Sequence, residues 1–446
     1  MNKFLESLQG FRLREKLLLF YIASLPIMKT PSLPIFKERL QFSELIFLAM
    51  LACCLGDFIK MKKFLSRQAI SRVLAVFALA TAFSLIKSGI SLNAVLEYIG
   101  LIYLLCLFFV LVFIIRTESF FYFIIKAWIV ASFFVACLGF FSWVVSFLLK
   151  GNYHNPFLLF YAPFSSVIFF PRIISTFRNP NMLLTYLHIT IGIIIPLFLL
   201  TKRKNEKAPY LFTVSFLLLN MLLTGSRHIL GVLLTLLLSA IYLNGSRNKK
   251  SFLVFILSLL FIAQLFITSV FMRWTIYPLR IEKIHSLKEV KVSFSYADSI
   301  YNLQQRTALR IIKRHPFFGV GPGNFPGKFK EYAPWDRYGD TLKIEEISGP
   351  YKSDPHSTYL GIFAETGIFG LLSFLLVVCF IFAYLLETLK KSGNNLTQRY
   401  FAFAFLAIVI GFLFNAFIID IISMRHFWVL LALIIAQNNI FVKHAR

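Results

Sequence analysis

The chain has 446 residues, 58% of them hydrophobic and 15% charged, where an ordinary soluble domain carries roughly 25% charged residues. Composition alone therefore excludes a soluble globular enzyme and points to a polytopic membrane protein. The formal charge is +26, from 46 basic and 20 acidic residues, but the basic residues collect on alternate loops, which argues against a nucleic-acid partner.

Apolar runs long enough to cross a hydrocarbon core of about 30 Å recur along the chain. They are centred near residues 23, 50, 78, 103, 134, 191, 215, 236, 261, 372, 409 and 434. The expected fold is all-α, with about twelve transmembrane helices. Residues 1–271 would carry helices one to nine, 272–355 a large polar loop, and 356–446 helices ten to twelve. The first run is followed by Met28-Lys29 and Pro31 rather than by a small-residue cleavage site, so it is expected to stay as an anchor. Basic clusters at Arg12, Arg14 and Lys16, at Lys60, Lys62, Lys63 and Arg67, and at Lys202, Arg203, Lys204 and Lys207 fall on every second loop. By the positive-inside rule both termini are then cytoplasmic and the 272–355 loop faces outward. The five cysteines (Cys53, Cys54, Cys106, Cys137 and Cys379) lie in apolar runs without a CxxC or Cys/His cluster, so no disulfide framework and no metal centre are expected.

The polar residues of the outward side carry the chemistry. Arg172 and Arg178 precede the sixth run, in a stretch where Pro180 stops the chain at Asn179 and Asn181 can cap the following helix. Either arginine could hold an anionic head group. Thr224-Gly225-Ser226-Arg227-His228 is a short turn that leaves Arg227 at the membrane interface, where guanidinium is costly unless it is paired or functional. Its fork matches phosphate oxygens; snorkelling to lipid phosphates is the bland alternative. Within the long loop, residues 305–316 read as a basic amphipathic helix ended by His315-Pro316, with Arg306, Arg310 and Lys313 on one face. That helix could simply lie on the membrane, or it could aim Arg306 or Arg310 at a lipid-linked phosphate. Gly319-Val320-Gly321-Pro322-Gly323-Asn324-Phe325 follows no strand and opens no obvious helix, so it reads as a turn with unusual backbone angles rather than a nucleotide loop.

Asp354-Pro355-His356 opens the tenth run, with Asp354 placed to cap it and His356 in its first turn. A helix N-terminus disfavours imidazolium, so a neutral His356 could serve as a general base toward a hydroxyl. Glu365 would lie about 13 Å further along the helix, where a carboxylate is a functional or network residue by default. Gly367 and Gly370 would admit a close helix neighbour. Asp420 and Arg425, flanking the last outer turn, read as a local ion pair.

These motifs, in this order, resemble the bacterial O-antigen ligase and polymerase family of polytopic membrane proteins. The matching pieces are Ser175 to Leu187, Thr224 to Gly231, Arg306 to Phe325, His356 to Gly370 and Asp420 to Trp428. The resemblance implies glycosyl transfer on the periplasmic face of the cytoplasmic membrane, from an undecaprenyl-diphosphate-linked glycan and without a nucleotide sugar, cofactor or metal. The acceptor would be a lipid A-core sugar for a ligase, another lipid-linked repeat for a polymerase, or a protein hydroxyl for an O-oligosaccharyltransferase. Arg227 and Arg306 match the family's diphosphate-holding arginines and His356 its candidate base. Arg310 is added by the helix argument alone. Two departures stand out: Ser357 follows His356 where the family often has Asn, and Thr307 to Leu309 follow Arg306 where it often has an aromatic. The competing class is a lipid-linked sugar transporter, but such proteins gather charge near the midplane and show repeats. Here the polar residues gather on one side.

Overall fold

A computed structural model describes residues 10–29, 41–149, 155–159, 171–226, 228–242, 300–334 and 354–441. The expected ninth span near residue 261 lies outside the described residues, as do the ends of the long loop. The first six helices are α1 (Leu13–Ser24), α2 (Phe42–Leu55), α3 (Phe58–Leu65), α4 (Ala69–Lys87), α5 (Leu92–Ile114) and α6 (Glu118–Leu148). A short antiparallel pair of two-residue strands, β1 (Leu158–Leu159) against β2 (Arg172–Ile173), follows. Then come α7 (Pro180–Leu200), α8 (Lys204–Leu223) and α9 (Ile229–Tyr242). The polar segment supplies α10 (Ile300–Arg314) and α11 (Phe325–Tyr332), and the chain closes with α12 (Thr358–Lys391), α13 (Leu396–Asn415) and α14 (Arg425–Phe441).

The protein is a polytopic helical membrane protein. Among the described residues, six helices (α4, α5, α6, α7, α12 and α13) are long and apolar enough to cross a membrane, and α2 with α3, bent by 96° between them, add a seventh if read as one broken span. The other expected positions that fall on described residues are helical, and short or polar within those residues. α1 has 12 residues, α9 has 14 and α14 has 17, while α8 opens on Lys204, Glu206 and Lys207. Among the described residues the structure supports six or seven spans and not the full count of twelve.

The interior belongs to α14 and α7. Nearly every residue of α14 is buried, against α5, α6 and α13. α7 is likewise buried against α13, α8 and α6. By contrast α4 exposes Val76, Leu79, Phe83 and Ile86, and α12 exposes Leu372, Leu376 and Leu386. Such apolar faces are at rest only in hydrocarbon.

The bundle has two distinct ends. At one end Phe11, Phe120, Phe121, Phe401 and Phe441 pack ring to ring. Basic residues decorate that end: Arg14 pairs with Asp57 at 2.5 Å, Arg116 lies over the Phe64 ring and Arg399 donates to the Tyr242 hydroxyl. The other end holds the polar residues singled out above.

Candidate active site

α10 is amphipathic as its sequence suggests. Leu303, Thr307, Ala308 and Ile311 form its buried stripe, Arg310, Lys313 and Arg314 are exposed, and Arg306 is half-buried. The buried stripe joins Val320, Phe325, Phe329 and Ala364 in a small core separate from that of the bundle. Through it, α10 and α11 are seated on the first turns of α12.

The glycine segment between them is a turn with left-handed backbone, at Gly319 (φ 65°), Gly321 (φ 95°) and Gly323 (φ 69°). Contrary to expectation it does open a helix, because Asn324 stands at the start of α11 and Pro326 fits its first turn. The turn lies against a break in α12. At Gly367 the backbone leaves helical geometry (φ 69°, ψ −169°), and the amide of Ile368 donates to the Pro316 carbonyl at 2.8 Å instead of within its own helix. A β-carbon on Gly367 would stand 2.1 Å from the Phe317 carbonyl oxygen. The close neighbour admitted by Gly367 is therefore the loop, not another helix. Two residues earlier, Glu365 accepts from the amides of Gly323 at 2.9 Å and Phe325 at 3.2 Å. The carbonyls beside it accept as well, Ala364 from Val320 and Glu365 from Gly321.

His356 is not in the first turn of α12. Ser357 caps the helix, accepting from Leu360 N, and His356 precedes it at φ 46°, outside the region most side chains adopt. Asp354 turns back on this residue, accepting from the His356 amide at 2.7 Å and lying 3.3 Å from the ring Nδ1. The predicted capping role of Asp354 is thus replaced by that of a partner to the histidine. Thr358 fastens the start of α12 to the 416–421 turn, its amide donating to Ala416 O and its hydroxyl to Ile419 O. Asp420 stands in that turn and accepts from Ile422 N at 3.0 Å. Burial pushes its carboxyl above the ordinary range, against hydrogen bonds from Ser423 and Ile422, and the nearby carboxylates of Asp354 and Glu97 push the same way.

The expected local pair of Asp420 with Arg425 does not form. Arg425 reaches across to the start of α2, donating to Glu44 at 2.6 Å, Ser43 and Gln41. It does so because Arg425 opens α14 inside the bundle, where a carboxylate within the apolar α2 is its nearest counter-charge, while Asp420 is held by its own turn. Arg178, exposed, lies within electrostatic reach of Glu44.

Arg172 donates from Nε to the Thr224 carbonyl, packing on the turn that leads into position 227. Arg227 itself lies outside the described residues. Its neighbours are tied down: the Ser226 hydroxyl meets Asn181 Oδ1 and His228 Nδ1, each at 2.7 Å, and Asn415 donates to the His228 carbonyl at 2.9 Å. Asn181 is therefore not the cap of α7. Asn179 is, accepting from Met182 N at 2.8 Å, since Pro180 suits the first helical position and needs no N–H partner.

One end of the bundle thus brings together His356 with Asp354, the Asp420 turn, and Glu365 with its glycine loop. The arginines arrive from two elements, Arg306 and Arg310 from α10 and Arg172 from β2, held against the 224–226 turn. Sequence reasoning missed Asp354 as partner, Glu44, Glu97 and the Asn181–Ser226–His228 set. Glu44 and Glu97 were discoverable, because a carboxylate inside an apolar run calls for an explanation.

Residues 212–375 match the family model described as O-antigen ligase. That stretch runs from α8 to the first half of α12 and contains the 224–228 turn, Arg306, Arg310, the glycine loop, His356 and Glu365. No curated protein matches the chain significantly. The matched stretch is thus similar to the O-antigen ligase family, the family that the motifs resemble. A multi-pass protein of the bacterial inner membrane fits both the family and the helices.

Proposed function

We propose that this protein moves a glycan from undecaprenyl diphosphate to a lipid A-core acceptor on the periplasmic face of the cytoplasmic membrane. The observation that carries the reading is the 212–375 match, which covers the basic helix, the glycine loop and the histidine at one end of the bundle. In the reaction the acceptor hydroxyl oxygen bonds to the anomeric carbon as that carbon's bond to the diphosphate oxygen breaks. The proton passes to His356, whose ring Asp354 helps to orient through Nδ1. Negative charge grows on the departing diphosphate, and this is where Arg227, Arg306 and Arg310 act, with Arg172 and Arg178 as further cations at the same end. Diphosphate is already a fair leaving group, so cations and a base suffice, and no metal or cofactor is invoked. Polymerisation of lipid-linked repeats, or transfer to a protein hydroxyl, would use the same donor half. A transporter would need its charge near the midplane instead.

The test is electrophoresis of surface glycolipid and of undecaprenyl-linked glycan from cells with and without the gene. We expect long glycan to accumulate on the carrier while lipid A-core stays bare. If only single repeats remain on both, the acceptor assignment gives way to polymerase. If both profiles are unchanged, the transferase reading fails.

A further inference from the structure

α10 carries the arginines and α12 follows the histidine, so productive geometry depends on how those two helices are joined. The glycine segment joins them, and three kinds of contact hold it to α12. Two are backbone contacts: Val320 N and Gly321 N donate to the carbonyls of Ala364 and Glu365, and Ile368 N donates to Pro316 O across the kink. The third is the Glu365 side chain, whose two oxygens take the amides of Gly323 and Phe325. Ser84 on α4 completes the join from behind, donating to Phe318 O at 2.6 Å and Glu365 O at 2.9 Å. The left-handed glycines are required by this closeness. A β-carbon on Gly319 would come within 2.4 Å of the Glu365 carbonyl, and one on Gly323 within 2.9 Å of the Glu97 side chain.

We infer that Glu365 is a positioning residue for glycan transfer: its carboxylate clamps the 319–325 loop and so fixes the α10 arginines relative to His356. The inference rests on the transferase reading above. A carboxylate is suited to the task because both its oxygens accept, one for each amide. Glutamine has the same shape but only one acceptor oxygen, and its NH2 group would face a backbone donor. Loss of one clamp bond frees the loop without altering any group that touches substrate. The donor would still bind to the α10 arginines and the acceptor would still meet His356, but the two would be held out of register, and misplacement by about 1 Å can cost on the order of a hundredfold in rate.

Two measurements on full-length Glu365→Gln in detergent test this. The first is amide hydrogen exchange of peptides covering residues 319–329, with peptides from α13 as the internal control. We expect exchange at the loop to speed by about tenfold or more, for the 1.4 kcal/mol or more that such a lost bond represents, with α13 unchanged. The second is transfer kinetics with undecaprenyl-diphosphate-linked glycan and lipid A-core. We expect kcat to fall by about a hundredfold while the KM for each substrate stays within about threefold. If Glu365→Gln does not accumulate, Glu365→Asp reads the same amides, since it keeps the charge but falls short by about 1.5 Å, one bond length. Unchanged loop exchange overturns the clamp. Faster exchange with an unchanged kcat, or a loss confined to KM, overturns the positioning role. Wild-type protein that transfers no glycan defeats the parent reading instead, and the exchange result then stands as a statement about the loop alone.

Discussion

At His356 the backbone adopts φ 46°, an arrangement that favours glycine and asparagine over most side chains. Strain of this kind costs of order 1–3 kcal/mol and persists only where surrounding contacts hold it. Here those contacts are Asp354 on one side and Ser357, which begins α12, on the other. Alanine at 356 keeps the β-carbon and therefore the same backbone cost, so His356→Ala isolates the imidazole. Transfer should drop by about a hundredfold or more, the scale of general base catalysis, with the detergent-solubilised protein eluting unchanged. Near-normal transfer would remove His356 as the base. The histidine was legible in the sequence because it stands beside a proline at the foot of an apolar run. The role of Asp354 was not. Asp354, Ser357 and Thr358 are all capping residue types, and spacing cannot choose among them until the positive φ at His356 hands the cap to Ser357.

α10 and α12 differ sharply in how openly their sequences state their structure. The apolar stripe of α10 recurs at helical spacing, and its basic face follows from the same count. α12 reads as an uninterrupted apolar run, and Gly367 in such a run normally signals helix–helix contact. That the chain instead breaks there depends on a partner more than forty residues earlier, the Phe317 carbonyl region. Gly367→Ala should therefore do more than a routine substitution in a membrane helix. The positive φ alone costs about 1–3 kcal/mol, and the new methyl must displace the loop backbone. Lowered thermal stability in detergent, together with reduced transfer, is expected. If stability and transfer both stay at wild-type level, the kink does not hold the loop.

Across the whole molecule, Arg425 and Glu44 join segments 381 residues apart in sequence. Sequence reading gave Arg425 the nearest acid along the chain, Asp420. Proximity in sequence misleads in a bundle where the last described helix is the innermost. Removing one member of a buried ion pair strands the other, typically at about 3–5 kcal/mol. Arg425→Met and Glu44→Gln should each lower stability markedly, and the double variant should lose less than the sum of the two. Strict additivity in thermal denaturation would mean that the two residues act independently. Charge alternation between loops makes an orientation an expectation; what the structure bears out is the helical, membrane-spanning character of the chain. The number of spans was not legible, since runs that look alike in sequence fold into α4, 19 residues long and apolar enough to span, and α14, 17 residues that open on Arg425 and His426.

The position of α14 also bears on biogenesis. Its residues fill the centre of the bundle, between α5, α6 and α13, yet among the described helices it is the last to leave the ribosome. Until it inserts, α5, α6 and α13 lack the helix they pack against, and Glu44 lacks Arg425, its hydrogen-bonded partner. Consolidation of the mature bundle therefore follows insertion of its last described helix.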